Sequence, residues 1–365
     1  MDKIVASVSD GHVAAILRDA PAVSLHPEEL PRTDGNSPIL VETDGITVFY
    51  SHYVPKGHSY RRRGGAHFDF HQDPVPIRFL DDRDPSTGKW IEAVWPGNGE
   101  LYGLYHAEVP APCERHLFLP EIGMARSLDG GLSWVGSHTV LRAPPSQTDC
   151  SYRNGFFAGG FGDLSALPDR ERKFVYMGFT SFVADEGAQG ICMARFEYAD
   201  PFGPAELWSA AGWSRSAGDM LPAPLWPMVR GWRHADPDGF WGPALHYNRQ
   251  IDAYVMLLNH TAGGDGNLVQ EGIYFSVCRD LADPRGWSRP VMLVSGGAWY
   301  PQAVGLEPGC SDTRVNGRGR FFMAGYSAWT IEFTLTPMMS PPLGPLRPDQ
   351  VMFQALFGTR HAAPW

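Results

Sequence analysis

Cysteine is scarce in this chain. Its five members, Cys113, Cys150, Cys192, Cys278 and Cys310, form no CxxC pair. Neither a disulfide framework nor a zinc site is therefore expected. Cys192 and Cys278 lie inside apolar, strand-like runs and read as core residues. Basic charge is also short. The net charge is −10, and the one basic cluster, Arg61-Arg62-Arg63, reads as a solvated loop, which argues against a nucleic-acid partner. No apolar run is long enough to cross a bilayer. The opening stretch "MDKIVASVSDGHVAAILRDAP" has no apolar h-region or cleavage site. The expectation is a soluble cytoplasmic protein without a membrane partner. No G-x-S-x-G elbow is present for a serine hydrolase. The glycine-rich strings "NGFFAGGFGD" and "TAGGDGN" lead into no helix signal, so neither makes a phosphate loop. No cofactor is expected.

Aromatic residues, glycine and proline are plentiful. Aromatics reach 12%, beside 41 Gly and 32 Pro in 365 residues, a balance that favours an all-β chain rich in turns. With 43% hydrophobic and 19% charged residues, the chain can bury a real core.

A repeat runs along it. Five short runs carry a small or acidic residue or a proline near their start and turn apolar: "SPILVET" (37–43), "QDPVPIRF" (72–79), "FGDLSALP" (161–168), "FWGPALHY" (240–247) and "WYPQAVGL" (299–306). Each is followed by an aromatic, β-branched run: "ITVFYSH" (46–52), "KWIEAVW" (89–95), "KFVYMGFTSF" (173–182), "DAYVMLLNH" (252–260) and "RFFMAGYS" (320–327). Third runs are "EIGMARS" (121–127), "GICMARF" (190–196) and "EGIYFSV" (271–277), each leading through a polar turn to a Trp. Strand, strand, strand, turn with Trp, strand is one blade of a propeller. Five starts predict a five-bladed β-propeller of four-stranded antiparallel blades, with a β-sandwich as the alternative. The stretch "PGNGELYGLYHAEVPAPCERHLFLP" reads as an insertion in the second unit. Residues 1–36 read as an N-terminal extension, 37–340 as the propeller and 341–365 as a tail packed on it. The N-terminal strands and the last third-strand candidate, "TIEFTL" (330–335), are expected to share a blade and close the ring.

The stretch "SLDGGLSW" (127–134) resembles the Asp box of sialidases and related propellers. The order of "DP" early, "GD" in a later first strand and Trp-bearing turns resembles the five-bladed glycoside hydrolases of families 43, 32, 68 and 117. The sialidase arginine triad and the family 32 "NDPNG" pattern have no counterpart here. The resemblance implies a carbohydrate substrate and a funnel at the rim where first strands begin. Asp129 falls on the opposite rim and is expected to accept hydrogen bonds from its own turn.

That geometry selects a set of residues. Glycoside cleavage needs one protonated and one ionised carboxyl, and a third can tune the acid by like-charge repulsion. The resemblance implies Asp73 as base and Asp163 as the tuning carboxylate, by their positions at the starts of first strands. Glu108 and Glu271 are the candidate acids, with Glu108 preferred because it ends a run rich in Tyr and Leu. His71, His106, Trp241, His260, Trp299 and Tyr300 are candidate substrate contacts, the aromatics as sugar platforms. "HFDFH" puts His67, Asp69 and His71 on one side of an extended strand, but no tight ligand spacing supports a metal, and none is expected. A non-catalytic propeller that binds glycan or protein is the competing reading, and a metal-assisted enzyme using His67, His71 and His106 is a third.

Overall fold

A computed structural model describes residues 4–8, 11–27, 32–52, 57–65, 68–82, 87–114, 116–216, 219–264, 268–307 and 309–337. Among these residues, five largely antiparallel sheets stand around a central channel, each a blade. Blade I is Ile39–Glu42, Gly45–His52, His58–Gly64 and Val75–Pro76. Blade II is Gly88–Gly97, Glu100–Pro110, Phe118–Ser127 and Ser133–Leu141, with Arg78–Phe79 joined in parallel at its outer edge. Blade III is Phe161–Pro168, Phe174–Ser181, Gly190–Glu197, Glu206–Ser209 and Gly212–Arg215. Blade IV is Asp238–Asn248, Ala253–Ala262, Gln270–Cys278 and Val291–Ser295, with Arg314–Val315 parallel on its inner side. Blade V is Pro301–Gly305, Arg318–Met323 and Tyr326–Pro337, completed by Gly11–Ser24 and Ile4–Val8. The sandwich alternative is set aside. The two ends of the chain close the ring, as the repeat implied. Ile4–Val8 and Gly11–Ser24 are therefore strands of the propeller and not an extension before it. The proposed tail, 341–365, lies outside the described residues.

One unit of the repeat was misread. "QDPVPIRF" is not an innermost strand: Val75–Pro76 is the outer strand of blade I and Arg78–Phe79 edges blade II. The innermost strand of blade II contains "KWIEAVW", and the supposed insertion supplies the second strand, Glu100–Pro110. Both strands are buried along most of their length because a strand between neighbouring blades is covered on both faces. Order along the chain alone does not say which is innermost.

Packing between blades is aromatic. Trp95 of blade II lies against Phe196 of blade III at 5.8 Å between ring centres. Trp134 is fully buried and meets Phe49 of blade I at 6.2 Å. The turn before Trp134 is held by Asp129. Its Oδ1 accepts from the amides of Leu132 (3.1 Å) and Ser133 (2.9 Å) and from the Ser127 hydroxyl (2.8 Å), and its Oδ2 from the Ser133 hydroxyl at 2.6 Å. The slight burial there opposes ionisation. The bonds from Ser133, Ser127 and Leu132 outweigh it and hold this carboxyl at about 2.

Cys113 and Cys150 form a disulfide, contrary to expectation. They are 37 residues apart in sequence. The loop after the second strand of blade II meets the connection to blade III, a contact no sequence spacing displays. Disulfides persist in oxidising compartments, which weighs against the cytoplasmic expectation. Cys192, Cys278 and Cys310 are buried and free. No helix among the described residues is long and apolar enough to cross a membrane.

Candidate active site

The innermost strands of blades II, III and IV each carry an irregularity near their starts. The register shifts between Ile91 and Ala93, between Gly162 and Leu164, and between Trp241 and Ala244. A bulge re-aims side chains and twists the strand. Glu92, Asp163 and Gly242 sit at these three points. Asp163 holds φ +44° and Gly242 φ +57°, and Tyr300, at the start of blade V, holds φ +54°. Left-handed backbone at Asp and Tyr is strained, and such strain clusters at functional sites.

These starts converge on one cavity of about 230 Å³. Its polar groups are Asp34, Glu92, His106, Glu108 and Asp163, and its aromatic wall includes Trp90, Trp241, Trp299, Tyr300 and Phe157. Trp241 stands nearly perpendicular to Trp299 and Tyr300, at 5.3 and 5.6 Å. Asp34, just before blade I, accepts from the Trp90 indole N–H at 2.9 Å. Tyr300 donates its hydroxyl to Asp163 Oδ1 at 3.2 Å. Glu92 Oε2 accepts from the Leu164 amide at 2.7 Å. His106 Nδ1 faces three groups: the Asp163 amide at 3.2 Å, Glu92 Oε1 at 3.6 Å and Asp163 Oδ1 at 3.8 Å. A neutral ring accepts from the amide, and a charged ring donates to the carboxylates. Gly162 is required beside this ring, since a Cβ there would come within 2.8 Å of His106 Cε1.

The floor under the cavity is bolted across the ring. Asn36 Nδ2 donates to the carbonyls of Leu164 (2.7 Å) in blade III and Pro243 (2.8 Å) in blade IV. Gln302 of blade V exchanges bonds with the backbone of Ser37.

Burial dominates the electrostatics. It pushes Asp163 up to about 7, with the charges of Glu92 and Asp34 adding to it and His106 and Tyr300 pulling back. Burial, then the charge of Glu108, pushes Asp34 up to about 6. Burial raises Glu92 as well. For His106, burial favours the neutral ring, but the Glu92 contact and the charges of Asp163, Glu92 and Glu108 outweigh it and lift the ring to about 9. Glu92, His106 and Asp163 each bring one ligand-type atom within 4.8 Å of the others, the composition of a small metal cluster. Glu92 Oε2 and His106 Nδ1 are already engaged by amides.

Of the residues expected from sequence, Asp163, Glu108, His106, Trp241, Trp299 and Tyr300 line this cavity. Asp73 and His71 do not. Both are exposed on the loop leading to the outer strand of blade I, where His71 pairs with Asp69 at 3.4 Å and Asp73 lies near Arg62. Misassigning the blade II start placed them wrongly. His67 lies outside the described residues. Glu271 and His260 meet each other at 3.3 Å beside Asp238, Tyr274 and Phe240, outside the cavity lining and packed toward blade III. Asp34, Glu92 and Trp90 were missed. Glu92 had a readable signal, a lone acid inside an apolar run. Asp34 had one too, an acid three residues before the first run.

No protein-family model matches the chain, and comparison with curated proteins finds no match. Solved structures do resemble it. A Bifidobacterium bifidum protein assigned as an exo-β-1,3-galactanase aligns with a TM-score of 0.50 at 10% identity, covering 88% of this chain and 94% of that one. The native arabinanase of Bacillus subtilis aligns with a TM-score of 0.47 at 13% identity, covering 83% and 94%. At 10% identity the likeness to the Bifidobacterium bifidum protein is one of fold, in accord with the five blades described above.

Proposed function

We propose that this protein is a glycoside hydrolase whose acid and base are Asp163 and Asp34. The observation that carries the reading is the placement of several carboxyls in one aromatic-walled cavity, where burial raises Asp34, Glu92 and Asp163. Hydrolysis of a glycosidic bond needs a proton donor and an ionised partner. Asp163, pushed up to about 7, keeps its proton near neutrality and is the donor. Asp34, whose ionised form is favoured by the Trp90 N–H, activates water or attacks the sugar. This gives Asp34 the part that sequence position suggested for Asp73, and Asp163 the proton that reasoning from sequence gave to Glu108. Trp241 and Trp299 supply faces for a sugar ring. The substrate is a carbohydrate. The enzymes of similar fold named above support the reaction class.

The test uses aryl glycosides of graded leaving-group ability beside natural oligosaccharides. Asp163→Asn is expected to lose most activity on poor leaving groups and little on good ones, which need no proton. Asp34→Asn loses both. If Glu108→Gln shows the leaving-group dependence instead, Glu108 is the donor. If none of the three substitutions lowers hydrolysis of any substrate the wild type cleaves, the cavity is not catalytic.

A further inference from the structure

The channel has a second mouth. At the rim where the innermost strands end lies a pocket of about 440 Å³, larger than the upper cavity and separate from it. Trp95, Tyr198 and Tyr247 contribute to its walls, and Arg170, Arg172 and Arg314 stand around it.

The side chains still open to a partner here are donors. Arg172 and Arg314 have no ion pair among the described residues. Arg172 rests over the Tyr198 ring at 5.9 Å. The Trp95 indole N–H is buried, in a residue 4% exposed, and has no hydrogen-bond partner. A buried donor without an acceptor is costly unless something fills the gap. The acids around this mouth are engaged. Asp169 accepts from the amides of Lys173 and Phe174, Glu42 pairs with Arg63 at 3.2 Å, and Arg170 is held by Asp252 at 2.9 Å. The remaining carboxyl, Asp312, receives backbone amides including that of Ile39, and burial pushes it up to about 7. At this mouth the carboxyl groups are taken up by amides or ion pairs, and the guanidinium donors of Arg172 and Arg314 are the ones left over.

We infer that this lower pocket binds an acidic saccharide of one or two rings, its carboxylate held by Arg172 and Arg314. Guanidinium groups suit carboxylates because two N–H bonds match two oxygens. The volume falls in the range of pockets that take small ligands. The anionic part stands on the pocket alone, and the saccharide part rests on the glycosidase reading.

Calorimetry with digalacturonate, neutral galactobiose and inorganic phosphate tests it. Digalacturonate is expected to bind the wild type and to weaken at least tenfold in Arg172→Gln/Arg314→Gln. It should weaken with added salt, while galactobiose gives no signal at this site. Both arginines are exposed, so the double variant keeps the wild-type melting temperature. Digalacturonate binding that is absent, or unchanged in the double variant, overturns the proposal. Phosphate binding as tightly as digalacturonate, with the same arginine dependence, overturns the saccharide assignment. Asp163→Asn is expected to keep digalacturonate binding whatever it does to hydrolysis, which separates failure of this site from failure of the upper one.

Discussion

Tyr300 donates its hydroxyl to Asp163 across 3.2 Å, and both residues hold left-handed backbone, at φ +54° and +44°. The bond joins blade V to blade III inside the cavity. It also favours the ionised form of Asp163. Tyr300→Phe removes that support, so the Asp163 carboxyl keeps its proton to higher pH. The alkaline limb of the kcat/KM profile is expected to move upward by a fraction of a pH unit, and the measurement is that profile on a substrate with a poor leaving group. An unmoved limb would mean that Asp163 is not the titrating donor.

The contribution of the cavity's buried acids and His106 to stability is expected to fall as pH rises. Asp34 and Asp163 lie above their ordinary value of 3.8, at about 6 and about 7. His106 lies above 6.5, at about 9. In each case the folded state binds the proton more tightly than the unfolded chain. The carboxyls' contribution is complete below about pH 4 and is lost as pH rises through 6 and 7. That of His106 is complete below about 6.5 and is lost toward 9. This cluster's share of stability should therefore decline from pH 5 to pH 9, against the opposite trend of His26, His52, His246 and His260, which burial holds below 6.5. The melting temperature of Asp163→Asn subtracted from that of the wild type reads it. Asp163→Asn should flatten the decline between 4 and 7 and also narrow the higher window, because the Asp163 charge helps hold the His106 proton.

Reduction of Cys113–Cys150 should loosen one wall of the cavity. The bridge joins the loop after Glu100–Pro110 to the connection that carries Phe156 and Phe157. Cys113→Ser/Cys150→Ser is expected to cost about 2–4 kcal/mol in urea unfolding. KM should rise more than kcat falls, because the change touches the wall and not the carboxyls.

Asn36→Ala should destabilise the ring at its centre. It leaves the Leu164 and Pro243 carbonyls without their donor. Buried groups stripped of a partner cost roughly 1–3 kcal/mol each. Urea unfolding measures the loss. Activity should fall as well, since Leu164 follows Asp163 in the bulge.

The blades were legible because burial repeats. Third strands announced themselves by "MARS", "MARF" and "YFSV", and four of the five innermost strands by a polar start turning apolar. Asp163, His106 and Trp241 followed from those positions. Blade II broke the rule. Its polar, proline-bearing run, "QDPVPIRF", lies at sheet edges, and its innermost strand opens on "KWIE". The period pointed to Asp73 when the acid facing the channel from that strand was Glu92. Bulges escaped detection because a one-residue excess leaves no mark on composition. The disulfide escaped because its loops meet only in three dimensions.

The ring is fastened by pairing Gly11–Ser24 with Tyr326–Pro337. A ribosome makes these partners about three hundred residues apart, with four blades between them. Until the later strand emerges, the earlier one has an unpaired edge and blade V has no outer half. Contacts so distant along the chain make for slow folding, and open edges invite pairing with a neighbour. The last step of folding is thus a latch that only a full-length chain can shut, and the cavity lined by Tyr300 of blade V takes its final shape at that step.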